Sequence, residues 1–265
     1  MFDRDNFMLN FEGSSFYELL RRKGESFIPR ISQEDHPEKQ NRASQIPHGT
    51  TVLALKFREG VIIAGDRRAT EGFQISGKRM EKVFKCDRHS AIAIAGAAGP
   101  CIEMARLFQT ELEHYEKLEG VALSTDGKAN KLSQMIKGNL PFAMQGLVVI
   151  PIFVGYDLKR HEGRIFKYDV TGGRYEEIEF YATGSGGKDA RNTLKKLYKA
   201  DMEERAAVDA ADEDVGTAGP DMVRGIYPTA KAIKLDGIGD IERADVESFY
   251  KALIERKKME RSENE

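Results

Sequence analysis

From residue 50 onward the apolar positions fall into strand-like and helix-like runs. TTVLALKF and GVIIAGD are β-rich, and the short turn Arg58-Glu59-Gly60 between them predicts a hairpin. Further strands are predicted at Val83 to Cys86 and at SAIAIAG, residues 90 to 96. After Gly99-Pro100 the residues Cys101, Met104, Ala105, Phe108, Leu112 and Tyr115 recur at helical spacing and give one apolar face. A second helix is expected from about Lys128 to Met144, disturbed by Pro141. LVVIPIFVGYD, RIFKYDV and YEEIEFYATG then read as a three-strand meander, with LVVIPIFVG apolar enough to be buried on both faces. A helix carrying ARNTLKKLYK starts near Ser185. The strand IYPTAKAIKL follows, and a last helix is striped by Val246, Phe249, Tyr250 and Leu253. This order lacks the strict strand–helix alternation of a parallel fold. It points to antiparallel sheets with helices layered outside them.

Residues 1 to 49 are different. Scattered aromatics (Phe2, Phe7, Phe11, Phe16, Tyr17, Phe27) and one short helix-like stretch, SSFYELLRRK, precede the polar run SQEDHPEKQNRASQ. That run has turn formers and almost no apolar periodicity, the character of a mobile linker. It reads either as an ordinary disordered tail or as a removable segment that docks through its aromatics.

Composition narrows the class. The 265 residues are 40% hydrophobic and 32% charged, which marks a globular chain rather than a disordered one. The balance of 41 basic against 43 acidic residues, net -2, gives no electrostatic case for nucleic acid or an anionic membrane. No apolar run approaches the roughly 18 to 20 residues that span a bilayer. MFDRDNFMLNFEG carries acids and no apolar stretch, so it is not a secretory signal. The two cysteines, Cys86 and Cys101, form no CxxC and have no paired histidines nearby; neither metal site nor disulfide frame is expected, and a reducing cytoplasm fits.

Several tempting motifs fail on their chemistry. ATGSGGKD is not a phosphate loop, because Ala182 stands where glycine is needed and Asp189 where Ser or Thr is needed. GAAGP is a turn that opens a helix. HExxH and GxSxG are missing, and His36, His48, His89, His114 and His161 are scattered, so a serine triad lacks an obvious base.

The informative constellation is Gly49-Thr50-Thr51, then Gly65-Asp66-Arg67-Arg68-Ala69-Thr70, then Glu81-Lys82-Val83-Phe84, then Ile94-Ala95-Gly96-Ala97-Ala98-Gly99. Each alone has a dull reading: a β-branched strand starter, a turn aspartate, an exposed cation, a glycine turn. In this order they resemble the N-terminal-nucleophile hydrolases, and among them the proteasome β subunits of actinobacterial type. AGDRRAT, ELEHYEKLEG, GNLPFAMQGL and GPDMVRGIYPTA extend the resemblance over residues 46 to 258. It implies an α+β fold, a four-layer αββα sandwich of two stacked antiparallel sheets with helices on both outer faces. It also implies a propeptide, 1–49, removed on maturation, and a catalytic domain, 50–265.

The chemistry explains the residue types. A threonine hydroxyl is a weak nucleophile and needs a base. A freed α-amino group has a reference pKa of about 7.7 to 8, close to working pH, where a general base is most effective. Cleavage of Gly49-Thr50 would create nucleophile and base on one residue, and Gly49 leaves the backbone free to bend at the scissile carbonyl. By resemblance, Lys82 sits beside Thr50 and stabilises developing negative charge, Asp66 pairs with and orients Lys82, and the N–H of Gly96 forms an oxyanion hole. Ser185, Asp214 and Thr217 match positions that support the Thr50 amine. The family usually reads Asp-Ser-Ala-Thr-Gly-Gly where this chain reads Asp214-Val215-Gly216-Thr217-Ala218-Gly219, and the stretch from Ala200 to Asp214 is shorter, which should trim a helix.

The resemblance further implies that substrate binds as an extended strand between Thr70 and the segment Gly96 to Ala98, through main-chain hydrogen bonds. Ala69, Met80, Phe84, Ile94 and Ala98 match positions around the first specificity pocket. All are apolar, so cleavage after apolar residues is expected. No metal or organic cofactor is implied. The implied partners are proteasome α subunits, other β subunits in seven-membered rings stacked as α7β7β7α7, an ATP-dependent ring unfoldase, and unfolded proteins tagged by a small ubiquitin-like modifier. Two other readings use the same residues: an inactive structural β-type subunit, motivated by the altered Asp214 region, and a small-molecule amidase using Thr50.

Overall fold

A computed structural model describes residues 50–67, 69–71, 74–77, 80–216 and 228–241. The chain opens with the predicted hairpin: β1 (Thr51–Phe57) and β2 (Gly60–Gly65) pair antiparallel across Arg58-Glu59. A small hairpin that periodicity did not predict follows, β3 (Ala69–Glu71) with β4 (Gln74–Gly77). Then come β5 (Val83–Asp87), β6 (Ser90–Gly96), and helices α1 (Ala98–Glu119), α2 (Thr125–Gly138) and α3 (Leu140–Ala143). Next are β7 (Val149–Asp157), β8 (Glu162–Tyr168), β9 (Arg174–Glu177) and β10 (Phe180–Gly184). Helices α4 (Gly187–Leu197) and α5 (Glu204–Gly216), then β11 (Thr229–Lys234) and β12 (Gly237–Asp240), complete the described elements.

Two five-stranded antiparallel sheets result. The first runs β10-β1-β2-β11-β12, the second β5-β6-β7-β8-β9. Strand side chains alternate faces, so each strand feeds two cores. Val52, Ala54, Val61 and Ile63 of the first sheet meet Ala91, Ala93, Ala95, Ile152 and Val154 of the second in the inter-sheet core. The alternate residues Leu53, Leu55 and Ile62 pack under α4 and α5 through Leu194, Ala207 and Ala211. On the other side Ile92, Ile94, Phe153 and Phe166 pack under α1 and α2 through Met104, Phe108, Leu132 and Ile136. Phe108 meets Phe153 edge to face with centroids 5.9 Å apart. The layers are therefore helix, sheet, sheet, helix, the expected αββα sandwich. Ala54, Ala91, Ala93 and Ala95 keep the side chains facing across this core small.

Helix boundaries follow local chemistry. Ser124 caps α2, its Oγ accepting from the Gly127 N–H at 3.1 Å, so the helix starts three residues before the predicted Lys128. It stops at Gly138, and Pro141 sits in the first turn of the separate α3. Proline has no N–H to give the preceding turn and its ring clashes with the carbonyl four residues back. In α1 the predicted stripe is buried through Leu112, whereas Tyr115 is 38% exposed. Among the described residues, positions 113–119 at the end of the helix are all exposed.

The predicted meander is corrected in its third strand. YEEIEFYATG is two strands: β9 pairs with β8, and β10 crosses to the other sheet to pair with β1. The corner falls at Ile178, 81% exposed, and Glu179, whose carbonyl accepts from Lys56 N of β1 at 2.8 Å. Crossing here gives the open edge of β1 its partner and turns Ala182 into the core under α4. The helix-like stretch at 14–23 and the C-terminal helix carrying Val246, Phe249, Tyr250 and Leu253 lie outside the described residues, as do Ile226 and Tyr227 of the predicted last strand.

One polar cluster braces the second sheet. Arg164 of β8, 2% exposed, donates to Asp126 at 2.7 and 3.2 Å, Asp157 at 3.0 Å and Glu176 at 2.8 and 2.7 Å. It ties the start of α2 to β7, β8 and β9. A buried guanidinium is tolerable only when its donors are matched in this way.

Candidate active site

Thr50 stands immediately before β1, and Asp66 immediately after β2, so the hairpin brings them to one end of the first sheet. The ladder Val52↔Gly65 continues beyond the strands. Asp66 N donates to the Thr51 carbonyl at 3.0 Å, and Thr51 N donates to Asp66 Oδ1 at 2.7 Å. The Asp66 carboxylate thereby extends the ladder by one rung.

Lys82 arrives from the second sheet. It precedes β5, is 3% exposed, and its carbonyl accepts from Ile94 N of β6 at 3.0 Å. Its Nζ lies 2.9 Å from Asp66 Oδ1 and 3.0 Å from Oδ2. A Cβ at Gly65 would press on Val83 Cγ2 at 3.1 Å and Val52 Cγ1 at 3.2 Å and meet Lys82 Cβ at an ordinary 3.5 Å. A buried ammonium is strongly destabilising without a nearby anion, and Asp66 supplies one.

Ser185 closes the third side. It follows Gly184, the residue paired with Thr51 across β1 and β10. Its N–H donates to the Thr50 carbonyl at 2.8 Å. Its Oγ lies 3.2 Å from both Thr50 N and Thr50 O, accepting from the first and donating to the second. Thr50 itself is buried. Gly96 ends β6 opposite Val149, at φ 136°, and a side chain there would collide with the Val148 carbonyl, whose carbon is 2.9 Å away. Only glycine fits.

The structure thus brings Thr50, Asp66, Lys82 and Ser185 together through hydrogen bonds. Gly96 lies one residue beyond Ala95, whose Cβ approaches Gly184. Asp214 belongs to the last turn of α5 by its backbone. Gly49 and Thr217 lie outside the described residues. Among the pocket positions, Phe84 packs on the cluster that holds Ile94, and both are close to α1, which Ala98 opens. Met80 N donates to the Arg67 carbonyl at 3.0 Å, which places it beside the same hairpin end. Ala69 and Thr70 lie in β3. Among the described residues no three His, Cys, Asp or Glu side chains are grouped to hold a metal, and no helix is long and apolar enough to cross a membrane.

Two features escaped the sequence reading. Cys101 belongs to the cluster with Ile94, close enough to Lys82 to sense its charge; burial pushes the thiol up to about 12 while the ammonium pulls the other way, so it stays protonated. Its place on the apolar stripe of α1 marked it only as core. Gly184 and Gly186 flank Ser185 against Thr50 and Thr51. The run GSGG is their signal, and within it the resemblance gave a role to Ser185 alone.

A family model described as proteasome subunit matches residues 46–221. The chain is 57% identical over 245 residues to the proteasome subunit beta of Acidimicrobium ferrooxidans, covering 89% of this chain and 88% of that one. It is 50% identical over 242 residues to the proteasome subunit beta of Jonesia denitrificans, covering 88% and 79%. With the proteasome subunit beta of Streptomyces griseus it shares 47% identity over 252 residues, covering 92% and 89%.

Proposed function

This chain belongs to the proteasome subunit family, and from that premise we propose that it is a threonine endopeptidase of the proteasome core that uses Thr50 as its nucleophile. The observation that carries the reading is the convergence on Thr50: Ser185 Oγ at 3.2 Å from its nitrogen, and the Lys82–Asp66 pair tied to the next residue through Thr51 N.

In maturation Thr50 Oγ attacks the Gly49 carbonyl carbon. The Gly49–Thr50 C–N bond breaks, the proton passes to the departing nitrogen, and an ester forms on Oγ. Water hydrolyses that ester, freeing segment 1–49 and a Thr50 α-amine. In peptide cleavage this amine takes the Oγ proton as Oγ attacks the substrate carbonyl. The oxyanion meets the Gly96 N–H, with the Lys82 ammonium lowering the cost of negative charge nearby. The leaving amine takes up the proton, the acyl chain stays on Oγ, and water releases it as a carboxylate. Ser185 holds the Thr50 nitrogen, and Asp214 and Thr217 are assigned to the same support. Extended substrate runs between Thr70 and Gly96–Ala98. Ala69, Met80, Phe84, Ile94 and Ala98 shape a pocket for an apolar side chain.

Such a site would be hazardous if free among folded proteins. The reading therefore includes α7β7β7α7 assembly with α subunits in the cytoplasm, an ATP-dependent ring unfoldase, and substrates tagged by a ubiquitin-like modifier. The test is the intact mass and N-terminal sequence of the chain after co-assembly with an α subunit. A chain that begins Thr50-Thr51 is expected. A leader retained in fully assembled particles would make this an inactive structural subunit instead.

A further inference from the structure

The peptide unit joining Thr50 to Thr51 is gripped at both ends. Its carbonyl accepts from Ser185 N at 2.8 Å and Ser185 Oγ at 3.2 Å, and its N–H donates to Asp66 Oδ1 at 2.7 Å. The first grip depends on a missing side chain. Gly184 sits at φ 95°, and a Cβ there would overlap the Thr50 carbonyl oxygen and lie 2.8 Å from its carbon and 3.5 Å from Ala95 Cβ. The carbonyl has no room to give, because Ser185 fixes it, while Ala95 Cβ is already in ordinary contact on the other side. Two residues on, Gly186 has an ordinary φ of -90°, yet a Cβ there would run into Thr51 Oγ1 and lie 3.4 Å from Thr51 Cβ. Thr51 is itself buried.

We propose that Gly184 is a positioning residue of the reaction: its bare backbone is the seat of the Thr50 carbonyl and sets where Thr50 Oγ stands relative to the strand that ends at Gly96. Gly186 does the same for Thr51. This inference rests on Thr50 being the nucleophile. A Cβ at 184 tips the Thr50–Thr51 peptide off Ser185, removes both hydrogen bonds from the carbonyl, and moves the hydroxyl that must attack. Displacement by about 1 Å costs roughly a hundredfold in rate even when substrate still binds.

The experiment uses the full chain co-assembled with an α subunit and a fluorogenic tetrapeptide with an apolar residue before the cleaved bond. Gly184→Ala is compared with Gly120→Ala, which has the same backbone sign, φ 70°, but no atom within 4 Å of the new Cβ. The expected result is a fall in kcat of at least about tenfold for Gly184→Ala with KM within about twofold, and a matching delay in self-cleavage. Gly120→Ala should stay near the parent. Gly184→Ala behaving like Gly120→Ala, or losing affinity rather than turnover, overturns the proposal. If Gly184→Ala fails to assemble, Gly186→Ala decides: it should lower kcat, and adding Thr51→Ala should restore it toward the level of Thr51→Ala alone. A Gly186→Ala chain with full turnover, or a double variant without recovery, overturns the idea equally. Thr50→Ala is run in parallel. Cleavage that survives it removes the nucleophile reading itself, a failure distinct from that of the glycines.

Discussion

Lys82 and Asp66 stand on different sheets and meet across the gap between them, Nζ to carboxylate at 2.9 and 3.0 Å. The pair is a cross-sheet strut as well as a source of charge. Because the lysine is almost fully buried, electrostatics of the site and cohesion of the sandwich depend on the same two side chains.

Removing the anion should therefore cost both. Asp66→Asn keeps the shape and lowers stability by about 3 kcal/mol, the scale for breaking a buried pair. A urea midpoint shared with the parent chain would rule this out. Lys82→Met fills the lysine's space but takes the cation from Asp66, which keeps the Thr51 N–H, so it should fold with lowered stability and lose at least about a hundredfold in peptide turnover and self-cleavage.

Ser185→Ala removes the hydroxyl that touches both Thr50 N and Thr50 O but keeps the backbone bond from Ser185 N. Turnover should fall by about ten- to a hundredfold with little change in KM, since the lost contacts act on the proposed nucleophile and not on substrate. Steady-state kinetics on assembled particles will show whether KM moves instead.

The Arg164 cluster predicts acid sensitivity of a defined kind. The Arg164 hydrogen bond is the main cause that holds the Asp126 carboxyl down at about 2, below the ordinary value near 4. A depressed folded pKa stabilises fully above the unfolded value and is lost as pH falls from about 4 toward about 2. Asp126→Asn should flatten that limb of a plot of urea midpoint against pH. An unchanged slope would remove Asp126 from the account.

Both thiols should be inert in the folded chain. Burial raises Cys86 well above its ordinary value and Cys101 to about 12, leaving almost no thiolate near neutral pH. Mass spectrometry after iodoacetamide treatment should find neither labelled until denaturant is added.

Much of this was legible in the chain because the signals were local. The β-rich runs TTVLALKF and GVIIAGD with a short turn between them gave the hairpin, and helical spacing from Cys101 to Leu112 gave the face of α1. Thr50, Asp66 and Lys82 were legible only through the order of their motifs, which carries the family resemblance; singly each reads as a strand starter, a turn aspartate or an exposed cation. The sheet change at Ile178–Glu179 was not legible: no glycine or proline interrupts Tyr175 to Gly184, and what bends the chain there is the unfilled edge of β1, far away in sequence. The same holds for Gly184, whose reason for being glycine is a carbonyl more than a hundred residues earlier.

That distance also acts as a clock. Thr50 is made early and Ser185 lies 135 residues later, which at 5–20 residues per second is a delay of roughly 7 to 27 s during synthesis. Until β10 has emerged and crossed over, the first strand has no outer neighbour and the threonine has no grip on its carbonyl. The order of the chain alone withholds the Ser185 contacts from Thr50 until 135 further residues have been made.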